Sequence, residues 1–288
     1  MAVMGASMIS QRNATRFVEY KLDTSLLRTI ERSAPRSLPL GVRRFSGYEE
    51  IASQTVARTE SATAEVVLIF ELAPALSIAE GGRFVRHHDG FIAGLSDAPT
   101  RTLHNGYQSG VQVNLSALSA RRLLGIPLAE IAYRNVAIAD VLSAVQRDRL
   151  HELIDSVSWD QRLDAVEALV ALPGVRAAPK CMRELAWVID RIERSAGAVR
   201  IAALARELGW GDRRLQRTFS AEIGIAPKLF ARLVRFDALM NRKRASPDLS
   251  WADAAADLGY FDQAHLVRDV RQFTGSAPTQ LAGILTPD

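Results

Sequence analysis

One block of sequence occurs twice in the second half of this chain. Leu215, Arg217, Gly224, Ala226 and Pro227 return as Leu266, Arg268, Gly275, Ala277 and Pro278, each 51 positions later. Phe219 falls opposite Val270 in the same register. A leucine-glycine-aromatic triplet precedes each copy, Leu208-Gly209-Trp210 and Leu258-Gly259-Tyr260. Two copies of one pattern must fold into two copies of one supersecondary unit.

The spacing predicts what that unit is. Ile201, Leu204, Ala205 and Leu208 fall on one face of a helix over 199–208, and Gly209 stands where a helix C-cap favours glycine. Asp212 can then cap a second helix, 213–223, which buries Leu215, Phe219 and Ile223. Arg213, Arg217 and Ser220 lie opposite that stripe, with Gln216 at its edge. A short helix, a glycine turn and a helix with arginine and glutamine outward describe a helix-turn-helix. Arginine matches the O6/N7 edge of guanine and glutamine the N6/N7 edge of adenine, so these side chains suit a major groove. The second copy has its own leading helix, with Ser250 as N-cap and Asp253 three residues on. Between the copies, Pro227 suits the first position of a helix running to about Arg244. Such a helix would hold the two units apart by a fixed distance, which must approach ~34 Å to read successive turns of DNA.

Charge follows the same division. Residues 1–173 hold 18 basic and 19 acidic side chains, and 174–288 hold 18 and 13. Within the second part, 200–244 carries +7 and 246–286 carries −3. A neutral half joined to a basic half suggests a polyanionic partner for the latter. This predicts phosphate attraction concentrated on the first unit.

The first half reads differently. Ser33 to Pro39 is rich in turn residues. From 62 to 115 the pattern favours strands: Glu65 to Leu72 is apolar and β-branched, and 111–115 alternates with period two. Gly81-Gly82, Asp89-Gly90 and Asn105-Gly106 are turn signals, the last two being hairpin dipeptides. From Ser116 onward helical spacing takes over, in segments 119–124, 138–145, 147–156 and 161–172. The expected fold is an α+β N-terminal domain, strand-rich and then helical, followed by an all-α domain of two helix-turn-helix units joined by a linker helix. The boundaries read as 1–173 for the first domain, 174–180 for a linker and 181–288 for the second. A hydrophobic fraction of 48% with 24% charged residues excludes a mostly disordered chain. The longest aliphatic/aromatic run, Val66 to Phe70, is far short of the ~20 residues of a membrane span. Met1 to Ser10 lacks the charged and apolar regions of a secretory signal. A cytoplasmic protein with no membrane partner is expected.

Residues 181–284 resemble the AraC/XylS family of bacterial transcription regulators. The resemblance rests on Asp257 to Leu266, Arg268 and Phe273 to Pro278, with Leu215, Arg217, Phe219, Gly224 and Pro227 in the first unit and Arg235-Phe236 in the linker helix. Val270 stands where phenylalanine is usual in the family and Leu239 where alanine is usual; Val270 would underfill the second unit. The resemblance implies that Arg213, Gln216 and Arg217 lie on the base-reading helix of the first unit, and Gln263, His265 and Arg268 on that of the second. Arg214 and Arg271 complete the expected DNA-contacting set. It also implies double-stranded DNA as partner, and an N-terminal domain that takes a small-molecule effector or supports a homodimer, with contact to RNA polymerase. Residues 62–145 are similar to a sensor domain of this family.

Catalytic chemistry is not apparent in the sequence. His87, His88 and His104 lack the nearby glutamate after a His-x-His that a cupin metal site uses, and adjacent histidines point to opposite sides of a strand. Cys181 is the single cysteine, so a disulfide, zinc finger or CxxC pair is excluded and a structural role expected. Trp159, Trp187, Trp210 and Trp251 are scattered as core residues are. No Ser/His/Asp or phosphate-loop spacing appears. The reading is a regulator without enzymatic activity, cofactor or metal. The competing reading is a metal-dependent cupin-like enzyme, or a repair protein with a DNA-binding tail.

Overall fold

The computed structural model describes residues 9–10, 15–21, 24–32, 41–73, 76–155, 158–172, 179–256 and 258–281. The turn expected at 33–39, most of the linker expected at 174–180, and Asp257 lie outside the described residues.

The first half is one curved antiparallel sheet. Its strands are β1 (Ile9–Ser10), β2 (Thr15–Lys21), β3 (Ser25–Arg32), β4 (Val42–Glu60), β5 (Glu65–Ala73), β6 (Ser77–Glu80), β7 (Arg83–Val85), β8 (Gly90–Ala93), β9 (Thr100–Ser116) and β10 (Asn135–Ala137). The spatial order is β1-β2-β3-β4-β9-β5-β8-β10, with the β6–β7 hairpin attached to β9. Strand pairing follows burial. Val66, Leu68 and Phe70 of β5 and Val111, Val113 and Leu115 of β9 are fully buried on one face. The opposite face puts Tyr48 beside Gly110 and Glu50 beside Gln108.

Two turn assignments change. The two-residue hairpin is closed by Gly81-Gly82, between the Glu80–Arg83 pair of β6 and β7. Asp89-Gly90 turns between β7 and β8, which are not paired with each other. Asn105-Gly106 does not reverse the chain at all; it lies inside β9. Opposite it, β4 slips register between Ile51 and Thr55, a bulge that bends both long strands. Gly106 takes φ +85° there, a conformation open to glycine without strain. The asparagine-glycine pair therefore makes a bend where a hairpin dipeptide ordinarily makes a turn.

The helices follow the periodicity except at 138–145, which breaks at Leu142, where the backbone is extended. Ser116 caps α1 (Ala117–Leu124), and a 3₁₀ turn (Leu128–Glu130) leads into β10. α2 (Ile138–Val141) and α3 (Ala144–Asp155) follow, then α4 (Trp159–Ala171) with a Ser158/Gln161 capping box. The second half contains α5 (Met182–Arg194), α6 (Ile201–Glu207), α7 (Asp212–Ile223), α8 (Pro227–Ala245), α9 (Trp251–Ala255), α10 (Gln263–Thr274) and α11 (Pro278–Leu281). No helix among the described residues is long and apolar enough to cross a membrane.

The core does not stop between the halves. Buried residues of the sheet, of α1 and of α5 to α10 form one continuous cluster. Polar contacts reinforce it at each helix-turn-helix. Arg121 of α1 donates to Glu222 of α7 at 2.9 Å. The amide of Ala62 donates to the carbonyl of Phe273 in α10 at 2.8 Å. Asp237 of α8 accepts from the Thr63 hydroxyl and the Ala64 amide, both at 2.9 Å. At the C-cap of α7, Gly224 has φ +91°, and a Cβ there would lie 2.8 Å from the Leu128 carbonyl oxygen.

Candidate nucleic-acid interface

The first helix-turn-helix is α6 and α7. Leu204 and Ala205 of α6 pack on Leu215, Phe219 and Ile223 of α7, all essentially inaccessible. That fixes the opposite face outward: Arg213, Arg214, Gln216 and Arg217 are exposed. The helix begins one residue earlier than its sequence suggests. Gly211 is the N-cap and Asp212 lies in the first turn, where its charge favours the positive end of the helix dipole without a capping hydrogen bond. Ser220 is half-buried, its hydroxyl donating to the Ile225 carbonyl at 3.4 Å, so it leaves the outward face. Arg214 lies 4.3 Å over the Trp210 ring. Arg213, Gln216 and Arg217 hold no hydrogen bond or ion pair among the described residues.

The second unit is α9 and α10. Ser250 caps α9, accepting from the Asp253 amide at 3.0 Å and donating to the Asp253 carboxylate at 2.6 Å. Asp262 caps α10, accepting from the His265 amide at 2.7 Å. Leu266, Val270 and Phe273 are buried, and Val270 is completely enclosed despite its small size. Packing is looser on another side, where a cavity of about 420 Å³ opens among Trp251, Tyr260, Leu266, Val267, Arg271 and Pro278. Gln263, Arg268 and Arg271 are exposed, with no hydrogen bond or ion pair among the described residues. His265 is placed apart from this set. It is half-buried, meets the Tyr260 ring edge-on at 5.3 Å, and stands 3.7 Å from Asp269.

The linker helix α8 uses its basic side chains inward. Arg232 donates twice to Asp269 of α10, which is buried, and once to Gln272, which in turn donates to Asp97. Arg235 donates to the Gly197 carbonyl at 2.7 Å and lies 5.4 Å over Tyr260. Arg242 and Lys243 bind carbonyls around α9. Much of the +7 of 200–244 thus ties the units together. The sequence clue was available in Asp269, an acid on a face otherwise apolar, but its partner could not be read from spacing.

In the first half, Glu50 is buried among Ser25, Arg58 and Gln108, with His104 Nε2 3.1 Å away. Burial pushes Glu50 up, but the Ser25 hydrogen bond and the Arg58 charge outweigh it and hold the carboxyl below its ordinary range. Burial also lowers the imidazole of His104, against the pull of Glu50. His87 pairs with Glu80 at 2.8 Å and His88 is exposed. Among the described residues, no group of three or more His, Cys, Asp or Glu side chains could hold a metal ion. Cys181 sits at the N-cap of α5, half-buried, without a capping hydrogen bond. All four tryptophans pack against the core.

Residues 204–283 match the family described as a helix-turn-helix domain. No curated protein matches the chain. Among solved structures, ToxT from Vibrio cholerae superposes with TM-score 0.50 at 8% identity, covering 84% of this chain and 98% of that one. ToxT from strain SCE256, solved with an unsaturated fatty acid bound, gives TM-score 0.48 at 9% identity over 88% and 98%. The AraC-like transcriptional activator CuxR gives 0.26 at 14% identity over 78% and 83%. Fold and site together define a DNA-binding transcription regulator with paired helix-turn-helix units behind a strand-rich domain. Within that class, residues 204–283 carry the helix-turn-helix domain, and 84% of the chain shares the fold of ToxT.

Proposed function

We propose that α7 and α10 enter successive major-groove segments of double-stranded DNA and read base edges there. The observation that carries this reading is the set of outward side chains without partners: Arg213, Gln216 and Arg217 on α7, and Gln263, Arg268 and Arg271 on α10. Each is a donor suited to a base edge or a phosphate, and none is engaged among the described residues. Arg214 serves the same surface from over Trp210, and His265 acts through the turn it supports. Residues 1–173 form the responsive domain, joined through 174–180 to a DNA-binding domain over 181–288. The sheet face around Tyr48, Glu50, His104 and Gln108 is its site for a small-molecule effector, because buried polar side chains there offer convergent hydrogen bonds. The same domain supports a homodimer, and RNA polymerase is the partner on the promoter. The protein works in the cytoplasm and catalyses no reaction.

The experiment is selection of binding sites from randomised DNA by the full-length chain. The expected result is a site with two elements about one helical turn apart, ~34 Å. A selection that enriches no sequence would overturn the reading.

A further inference from the structure

The turns of the two helix-turn-helix units differ in length by one residue. Two residues, Gly209 and Trp210, separate Leu208 from the N-cap Gly211. Three residues, Gly259, Tyr260 and Phe261, separate Leu258 from the N-cap Asp262. Tyr260 takes the place of Trp210 behind the glycine, so the additional residue is Phe261. Its ring is 92% exposed, far above the 60% of Ile51 and Val145, the next most exposed large apolar residues described.

The outward position is held from both sides. Tyr260 is pinned against His265 and beneath Arg235. Asp262 is fixed by its cap on α10, and the Phe261 amide donates to His265 Nδ1 at 3.5 Å. In the first unit, Arg214 lies over the turn aromatic. The residue 51 positions on is His265, which turns to Tyr260 and leaves Phe261 uncovered. Ala264 replaces Arg213 in the same register and is also exposed. The N-terminal lip of α10 therefore presents a phenyl ring and a methyl where α7 presents arginine.

We propose that Phe261, with Ala264 beside it, contacts thymine C5-methyl groups in the major groove. The second unit then adds apolar contact to its hydrogen-bond donors, whereas the first selects bases by hydrogen bonds. The methyl is the one apolar feature of a major-groove base edge, and alanine and phenylalanine are side chains that meet it. This inference rests on the reading of α10 as a base-reading helix. It assigns the exposed ring a partner that a water-facing phenylalanine otherwise lacks.

Replacing single thymidines by deoxyuridine in the selected site removes only that methyl. Binding is measured at one fixed salt concentration for the full-length protein and for Phe261→Ala and Phe261→Leu. The native protein should lose about fourfold in affinity at one or two dT→dU positions in one half of the site, the value of one methyl taken out of water. Phe261→Ala should lose the discrimination at the dT→dU position that the ring meets, leaving only what Ala264 supplies, and Phe261→Leu should keep part of it. A native protein indifferent to every dT→dU change, or Phe261→Ala with the native dU profile, overturns the inference while leaving the regulator reading intact. Failure to select any site overturns both.

Discussion

Arg232 and Asp269 lie 37 residues apart on the linker helix and the second recognition helix, and Arg232 places Nε and Nη2 at 3.1 and 2.6 Å from one Asp269 oxygen. This pair ties α10 to α8, and Gln272 extends it to Asp97 of the first half. Asp269 is buried, whereas the Arg232 side chain keeps 23% of its exposure. Asp269→Ala should therefore cost about 2–3 kcal/mol, below the ~3–5 kcal/mol of a fully buried pair. Urea denaturation measures the loss. DNA footprints should retain protection over the first half of the site and lose it over the second.

The base-reading set should divide unequally. Arg217→Ala and Gln216→Ala should each cost about 1–3 kcal/mol in binding and relax preference at one base position. Arg268→Ala should cost less, because 246–286 carries −3 and repels phosphate. Arg217 and Arg268 hold equivalent repeat positions, so residue type and helix position are controlled. Affinities at one salt concentration decide it, and equal losses would show that local charge does not choose the anchoring unit. For the native chain, affinity should fall by ~0.9 log units per phosphate contact per decade of salt.

Domain docking should depend on pH through Asp237. Burial pushes its carboxyl up to about 7, aided by the charge of Glu65 and opposed by the Ala64 and Thr63 hydrogen bonds and by Arg244; Tyr260 stands on the same side. Because the value is raised in the docked state, its contribution is fully present below the ordinary carboxylate range, near pH 4, and is lost as pH rises through 7. Asp237→Asn keeps an acceptor for both donors without the charge. Thermal unfolding of the two proteins should coincide near pH 4.5, with the variant melting higher above pH 7. A native-minus-variant difference that is flat with pH would exclude Asp237 as the titrating group.

Gly224→Ala should weaken the contact between α7 and the first domain. The residue takes φ +91°, and the added methyl meets the Leu128 carbonyl and the Ala132 side chain. The left-handed strain alone costs about 1–2 kcal/mol, with the clash in addition. Limited proteolysis should then release the two halves at lower protease concentration than for the native chain. An unchanged digestion profile would show that the interface tolerates a shift of several tenths of an ångström.

The sequence by itself determined the repeated helix-turn-helix, its cap at Ser250, the helix start at Pro227, and the outward Arg213, Arg217, Arg268 and Arg271 with Gln216 at the edge; Gln263 came from the family resemblance. These are local matters: a period of 3.6 residues places the apolar stripe, and the stripe dictates what lies opposite. Only the tertiary structure decided the rest. Asn105-Gly106 became a bend within β9 because β4 pairs with β9 on both sides of it and bulges there, and pairing partners are non-local. The 19-residue β4 lies in a region of mixed pattern, since both its faces carry polar residues that are satisfied across strands, as Glu50 is by Gln108. His265 left the outward face because Tyr260 and Asp269 stand beside it. The charge of the linker helix turned inward for the same reason: a count of arginines is additive along the chain, whereas an ion pair such as Arg232–Asp269 exists only when packing brings both partners out of water together.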